Sequence, residues 1–279
     1  MYNAVGAAIW LGLFLRLFVV IWNSFVGPSL GADADAPGFH TIAVDYSKTL
    51  VLDKFILGYT YSYVLGLVYY VTTDSLFLGC LLSAFAWLAS AFTLVKIMRL
   101  LSFNKANQVK VMLIYSLLPS SILFTSVTLR EAYQLMFITF AIHSALKIYL
   151  NKSTIHWLFL FCAVIGMGAL HWAYIVYGSF IVIATLVLLL FRGRKGVSLV
   201  KLIFVAPLIS LVLIYGVSLG TSSNYEFDKG LAAVVTKQQQ GSLDTVARAN
   251  YKDSVEISGG PDLLAFISVG FFQYMFEPM

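Results

Sequence analysis

The stretch AVGAAIWLGLFLRLFVVIWNSFV, residues 4–26, decides the fold, because it carries a single charge, Arg16, in an otherwise almost wholly apolar run. At 1.5 Å per residue a helix of this length covers the roughly 30 Å of a bilayer's hydrocarbon core. It is apolar on every face, so it matches neither the one-sided helix of a soluble domain nor the short alternating strands of a membrane barrel. It is also too long for the core of a signal peptide and lacks a small-residue cleavage pattern, so it reads as a retained first span.

The rest of the chain agrees. Of its 279 residues 60% are hydrophobic and 11% charged, against about 25% charged in an average soluble domain, so it cannot cover a water-facing surface. Spans are expected at 4–26, 74–98, 109–128, 131–150, 154–171, 173–191, 199–219 and 263–279. The expected fold class is therefore all-α: a polytopic transmembrane helical bundle of about eight spans, forming one transmembrane domain over 1–279. The end at Phe276-Glu277-Pro278-Met279 has no polar flank and reads as the edge of a fragment of a longer protein.

Charge sets the expected sidedness. Three connections, holding Lys96, Arg99, Lys105 and Lys110, then Lys147 and Lys152, then Arg192, Arg194, Lys195 and Lys201, contain ten of the 18 basic and none of the 13 acidic residues. The positive-inside rule places them in the cytoplasm. That leaves 27–73 (the first outer loop, with interfacial helices), Leu129-Arg130-Glu131, His171-Trp172 and the outer loop 220–262 on the extracytoplasmic side. The net charge of +5 is spread over these short loops rather than one face, so nucleic acid is not an expected partner. Cys80 and Cys162 both fall in apolar runs and suggest neither a disulfide framework nor a metal cluster.

Within the first outer loop, residues 39–57 alternate apolar and charged positions in a way that suits a helix lying on the membrane surface. Residues 58–73, rich in tyrosine, are marginal for crossing and read as interfacial or re-entrant. If they crossed, Asp33 and Asp35 would move to the cytoplasmic side.

Candidate chemistry collects on the outer side. Asp33 and Asp35, in Gly31-Ala32-Asp33-Ala34-Asp35-Ala36-Pro37, sit on a small-residue turn directly after the first span. Such a pair can take a proton from an attacking hydroxyl or hold a divalent cation such as Mg or Mn, and equally fits a solvated turn. Arg130 and Glu131 follow Leu118-Pro119-Ser120-Ser121 and Thr128-Leu129 between two apolar runs. They fit either an ion pair anchoring two helices or an arginine facing phosphate with its carboxylate behind it. Arg16, at mid-span, requires an intramembrane partner: an ion pair, a lipid phosphate or a hydrogen-bonded structural role. His171 with Trp172 fits a phosphate contact or an interfacial belt. Arg248 and Tyr251 are the candidate anion contacts of the last outer loop, and His143 and His156 read as structural. No phosphate-binding glycine loop, nucleophile elbow or zinc-protease helix occurs.

The acidic pair directly after the first span resembles the signature of the GT-C class of polytopic membrane glycosyltransferases, which use polyprenyl-phosphate-linked sugars. The run Leu118-Pro119-Ser120-Ser121-Ile122-Leu123-Phe124-Thr125-Ser126 leading to Leu129-Arg130-Glu131-Ala132 resembles bacterial exopolysaccharide and cell-wall members of that group. The resemblance implies a cell-envelope polysaccharide-biosynthesis transferase in the cytoplasmic membrane. It would move sugar from a polyprenyl-phosphate donor to a glycan, lipid or protein acceptor, surrounded by membrane lipid. Asp33 or Asp35 would be the base, Arg130 a phosphate or structural contact, and His171 and Arg248 weaker phosphate contacts, with no required cofactor and a divalent cation optional. Members are commonly longer, with further spans and a C-terminal outer domain. Two other readings share much of the pattern: an O-antigen-type polysaccharide polymerase, dependent on outer arginines, and a lipid or sugar transporter with Arg16 and the Arg130-Glu131 pair along its path. A noncatalytic scaffold is a third.

Overall fold

The computed structural model describes residues 2–28, 35–51, 57–151, 153–171 and 173–190. The expected spans 199–219 and 263–279, the loop 220–262, Lys152, Trp172 and the cations from Arg192 onward lie outside the described residues.

Every regular element among the described residues is helical. In order these are α1 (Tyr2–Phe25), α2 (Asp35–Thr49), a 3-10 turn (Leu57–Tyr59), α3 (Thr60–Val71), α4 (Leu76–Leu100), α5 (Lys105–Leu117), α6 (Pro119–Phe124), α7 (Glu131–Asn151), α8 (Ile155–Leu170) and α9 (Ala173–Leu190). Among the described residues, two helices are long and apolar enough to cross a membrane, Ala4–Phe25 and Leu76–Leu100, while Ile155–Leu170 and Tyr174–Leu189 are shorter apolar helices. Their outward faces carry large apolar side chains such as Trp10, Phe14, Phe18, Phe85, Phe92, Phe159 and Ile165. An exposed apolar surface of this extent is unfavourable in water.

The expected third span, 109–128, is a correction: it is not one helix. Proline has no N–H and forces the residue before it out of the helical region. Accordingly α5 stops at Leu117, Leu118 is extended (φ −61°, ψ 116°), and Pro119 opens the short helix α6. After Phe124 the chain leaves helical geometry, yet Thr125 to Leu129 are all buried.

Three apolar clusters assemble the bundle. At one end Ala36, Phe39 and Ala43 of α2 and Tyr61, Leu65 and Tyr69 of α3 pack on Val20, Cys80, Ala84, Val127, Leu129 and Leu170. Toward the other end, Ala8, Ile9 and Leu13 of α1 meet Ala91, Val95 and Met98 of α4 and Met112 of α5. The third joins α7, α8 and α9 through Ala141, Ile148, Leu160, Met167 and Ile181. The α1 residues of the first two clusters run up in number as the α4 residues run down, so α1 and α4 are antiparallel.

At twelve residues α3 is about 18 Å long, shorter than the roughly 30 Å of a bilayer's hydrocarbon core. It packs instead along α2, and the pair caps the first cluster. Close approach depends on Gly79, where a Cβ would come within 2.5 Å of Tyr69 Oη and 2.6 Å of Thr128 Cγ2. A Gly79→Val change is expected to push α3 and residue 128 off α4, costing about 1–3 kcal/mol. Hydrogen exchange should then quicken in α2 and α3 while the α7 to α9 cluster keeps its protection.

Candidate functional site

The buried irregular segment 125–130 organises the site. Buried backbone outside a helix must still satisfy its polar groups, and in a membrane such backbone is tolerated only inside protein or along a cavity. Here Thr125 N donates to Ser121 O (3.0 Å) and Ser126 N to Leu123 O (3.2 Å). Thr128 Oγ1 donates to Ala36 O of α2 (2.9 Å), a bond between residues 92 apart in the chain. Two residues on, the half-buried Arg130 sits with Cζ 5.4 Å from the centre of the Phe39 ring. Its Nη1 makes a long contact to Leu170 O at 3.5 Å.

These contacts gather several of the sequence candidates. Asp35 is exposed in the first turn of α2, next to Ala36 and one turn from Phe39. His171, capping α8, lies near enough to Arg130 to be influenced by its charge. Burial first, and that cation second, hold its pKa below the ordinary 6.5. At neutral pH it therefore offers a neutral imidazole, one donor and one acceptor, rather than a second cation. Asp33, Arg248 and Tyr251 lie outside the described residues.

Glu131 opens α7 and lines a cavity of about 520 Å³ beside this cluster. Its wall is mostly apolar, with Tyr115, Ser120, Ser121, Thr125, Gln134 and Tyr174 as the polar points beside Glu131. A mostly apolar cavity with a few convergent polar groups is what a ligand with a long apolar part requires.

Arg16 is fully buried behind that wall. Its Nε donates to Thr125 Oγ1 (2.8 Å), Nη2 to Ser121 Oγ (3.0 Å), and Nη1 to Gly12 O (2.9 Å) and Ser116 O (3.0 Å). The guanidinium also lies 3.6 Å over the Trp87 ring. Of the roles open to it from sequence, this is the hydrogen-bonded structural one. The phosphate-binding role expected for Arg16 is not supported, since full burial leaves no surface for a phosphate to meet. The break at Pro119 explains the arrangement. Ser116 O belongs to the last turn of α5, where carbonyls lose their helical donors and the helix dipole presents its negative end. A cation delivered from α1 meets both needs. The Ser121 and Thr125 hydroxyls, which mark the second motif, are thus Arg16's partners as well as cavity wall.

His40, which sequence reasoning passed over, lies on α2 with Nδ1 2.9 Å from Tyr69 Oη. Burial lowers its pKa, opposed by the charge of Asp74. No local pattern marks it in the sequence, because its partner Tyr69 lies on another helix. Among the described residues no group of three or more His, Cys, Asp or Glu could hold a metal ion. Asp35 alone of the acidic pair is described. Comparison of the chain with protein-family models, curated proteins and solved structures finds no match.

Proposed function

We propose that the chain is a polytopic membrane protein of about eight spans, with the Asp35 and Arg130 end on the extracytoplasmic side, and that it is a GT-C-like glycosyltransferase. The observation that supports this most is the docking of α2 on residues 125–130, through Thr128 to Ala36 and Arg130 to Phe39. Those are the two segments whose sequences resemble that class, and they are in contact although far apart in the chain.

The reaction would run as a displacement. An acceptor hydroxyl oxygen bonds to the anomeric carbon and gives its proton to Asp33 or Asp35. The bond from that carbon to the phosphate oxygen breaks, its electron pair stays on the oxygen, and polyprenyl phosphate leaves. Leaving requires charge neutralisation more than protonation, which suits a preorganised arginine. Arg130 is the described cation placed for it, with neutral His171 able to donate one further hydrogen bond. The polyprenyl chain would lie in the apolar cavity past Glu131, and sugar and acceptor would approach over α2.

The test is transfer of labelled sugar from a synthetic polyprenyl-phosphate donor in membranes holding the full chain. Transfer by wild type, reduced about 100-fold in Arg130→Ala and partly restored in Arg130→Lys, is the expected result. Absence of transfer by the wild type from every donor offered would contradict the reading.

A further inference from the structure

A second cavity, of about 290 Å³, opens between α4, α7 and α8 toward the other end of the bundle. Its polar lining consists of Thr93, Lys96, His143, Ser144 and His156, and no acidic side chain is among the lining residues. The two imidazoles meet edge to face, with ring centres 6.0 Å apart and planes inclined by 62°. Ser153 Oγ lies 2.7 Å from His156 Nδ1, which fixes that ring and leaves Nε2 as its other polar atom. Lys147 acts electrostatically on both histidines and Lys96 on His143. Lys96 at the cavity and Lys147 nearby are like charges with no acidic side chain in the lining to offset them, a cost that a bound anion relieves, and the imidazole N–H groups can donate to it. The remaining wall is aromatic, with Phe137, Phe140 and Phe159.

From this juxtaposition of Lys96, two imidazoles and an aromatic wall we infer that the cavity binds the phosphate headgroup of an anionic membrane lipid, with an acyl chain along the phenylalanines. The inference rests on the membrane reading of α4, α7 and α8 but not on sugar transfer. Basic residues at a membrane surface recognise such headgroups, and lysine stems can reach along apolar surface to do so.

Cys162 lines the same cavity and is exposed, whereas Cys80 is buried. The full chain in mild detergent is treated with a small uncharged maleimide, and labelling of Cys162 is timed by mass spectrometry, with unreacted Cys80 confirming an intact fold. Short-chain phosphatidylglycerol is expected to slow labelling about fivefold. Phosphatidylcholine of the same chain length, and inorganic phosphate alone, are expected to leave it within twofold. In Lys96→Gln, an exposed position, and in His143→Gln, the ratio of the lipid-free to the phosphatidylglycerol-bound labelling rate, each measured on the same variant, should fall from about five toward one. Equal protection by phosphatidylcholine would mean apolar filling only, equal protection by inorganic phosphate would mean a soluble anion site, and no protection by any of the three would mean no site. Each of these overturns the inference. Because no sugar donor is present, failure here is separate from failure of the transferase reading.

Discussion

Asp33→Asn and Asp35→Asn, tested separately, are expected to leave the protein folded, with one of them lowering sugar transfer by about 100-fold to 10,000-fold, the range for loss of a general base. Asp35 is exposed at the first turn of α2, so the amide is tolerated sterically and keeps a first-turn acceptor. Only the ability to take a proton is lost. The described geometry favours Asp35, because α2 is fixed one residue later by the Thr128 bond to Ala36. A carboxylate on a fixed helix end can be held in line with an acceptor hydroxyl. The readout is kcat at saturating donor. Undiminished transfer in both variants would remove the base assignment. If Arg130→Ala were still inactive, the polymerase reading, with its dependence on arginine rather than aspartate, would stand in its place.

The second large effect is on stability. Arg16→Met is expected to lower the stability of the bundle by roughly 2–4 kcal/mol, because an acceptor left unsatisfied in the interior costs about 1–3 kcal/mol. Ser116 O, in the last turn of α5, would lose its donor from Arg16, and the Ser121 and Thr125 hydroxyls would lose theirs. Opposing this, methionine removes a buried charge that is itself costly to desolvate. That opposition makes Arg16→Lys the sharper variant. Lysine keeps the charge and its desolvation cost but replaces a planar fork by a compact ammonium with three donors, and it loses the flat stacking over Trp87. Arg16→Lys should therefore be no more stable than Arg16→Met in denaturant titrations from mild detergent, followed by tryptophan fluorescence. A lysine variant as stable as wild type would show that charge alone, and not the fork, is what the site requires.

Much of the helical architecture was legible from run length and polarity. The boundaries of α1, α4, α7, α8 and α9 fall within a few residues of those expected, because long apolar runs bounded by charges leave little freedom. Residues 58–73 are marginal for crossing by run length, and α3 takes twelve of them. Pro119 stands inside an apolar run that continues on both sides of it, so run length alone predicts one span there. What a proline inside such a run does depends on whether something caps the freed carbonyls, and that partner lies about a hundred residues away on α1. The same distance hid the counterpart of Arg16. A mid-span arginine announces that it needs acceptors, but hydroxyls in Ser-Ser and Thr-Ser pairs occur widely, and only packing selects Ser121 and Thr125 among them. Each histidine at the far cavity lies alone in its run. Their meaning comes from the pairing of α7 with α8, which no local pattern records.

All of this rests on the two ends of the bundle facing opposite compartments. Single cysteines placed at Gly38, where an added side chain meets open space, and at Lys105 at the start of α5, in a Cys162→Ser background, test it directly. In intact cells an impermeant maleimide should label Gly38→Cys at once and Lys105→Cys only after the membrane is opened. Labelling of both from the same side would contradict the account and would move Asp35 and Arg130 out of reach of any extracytoplasmic donor.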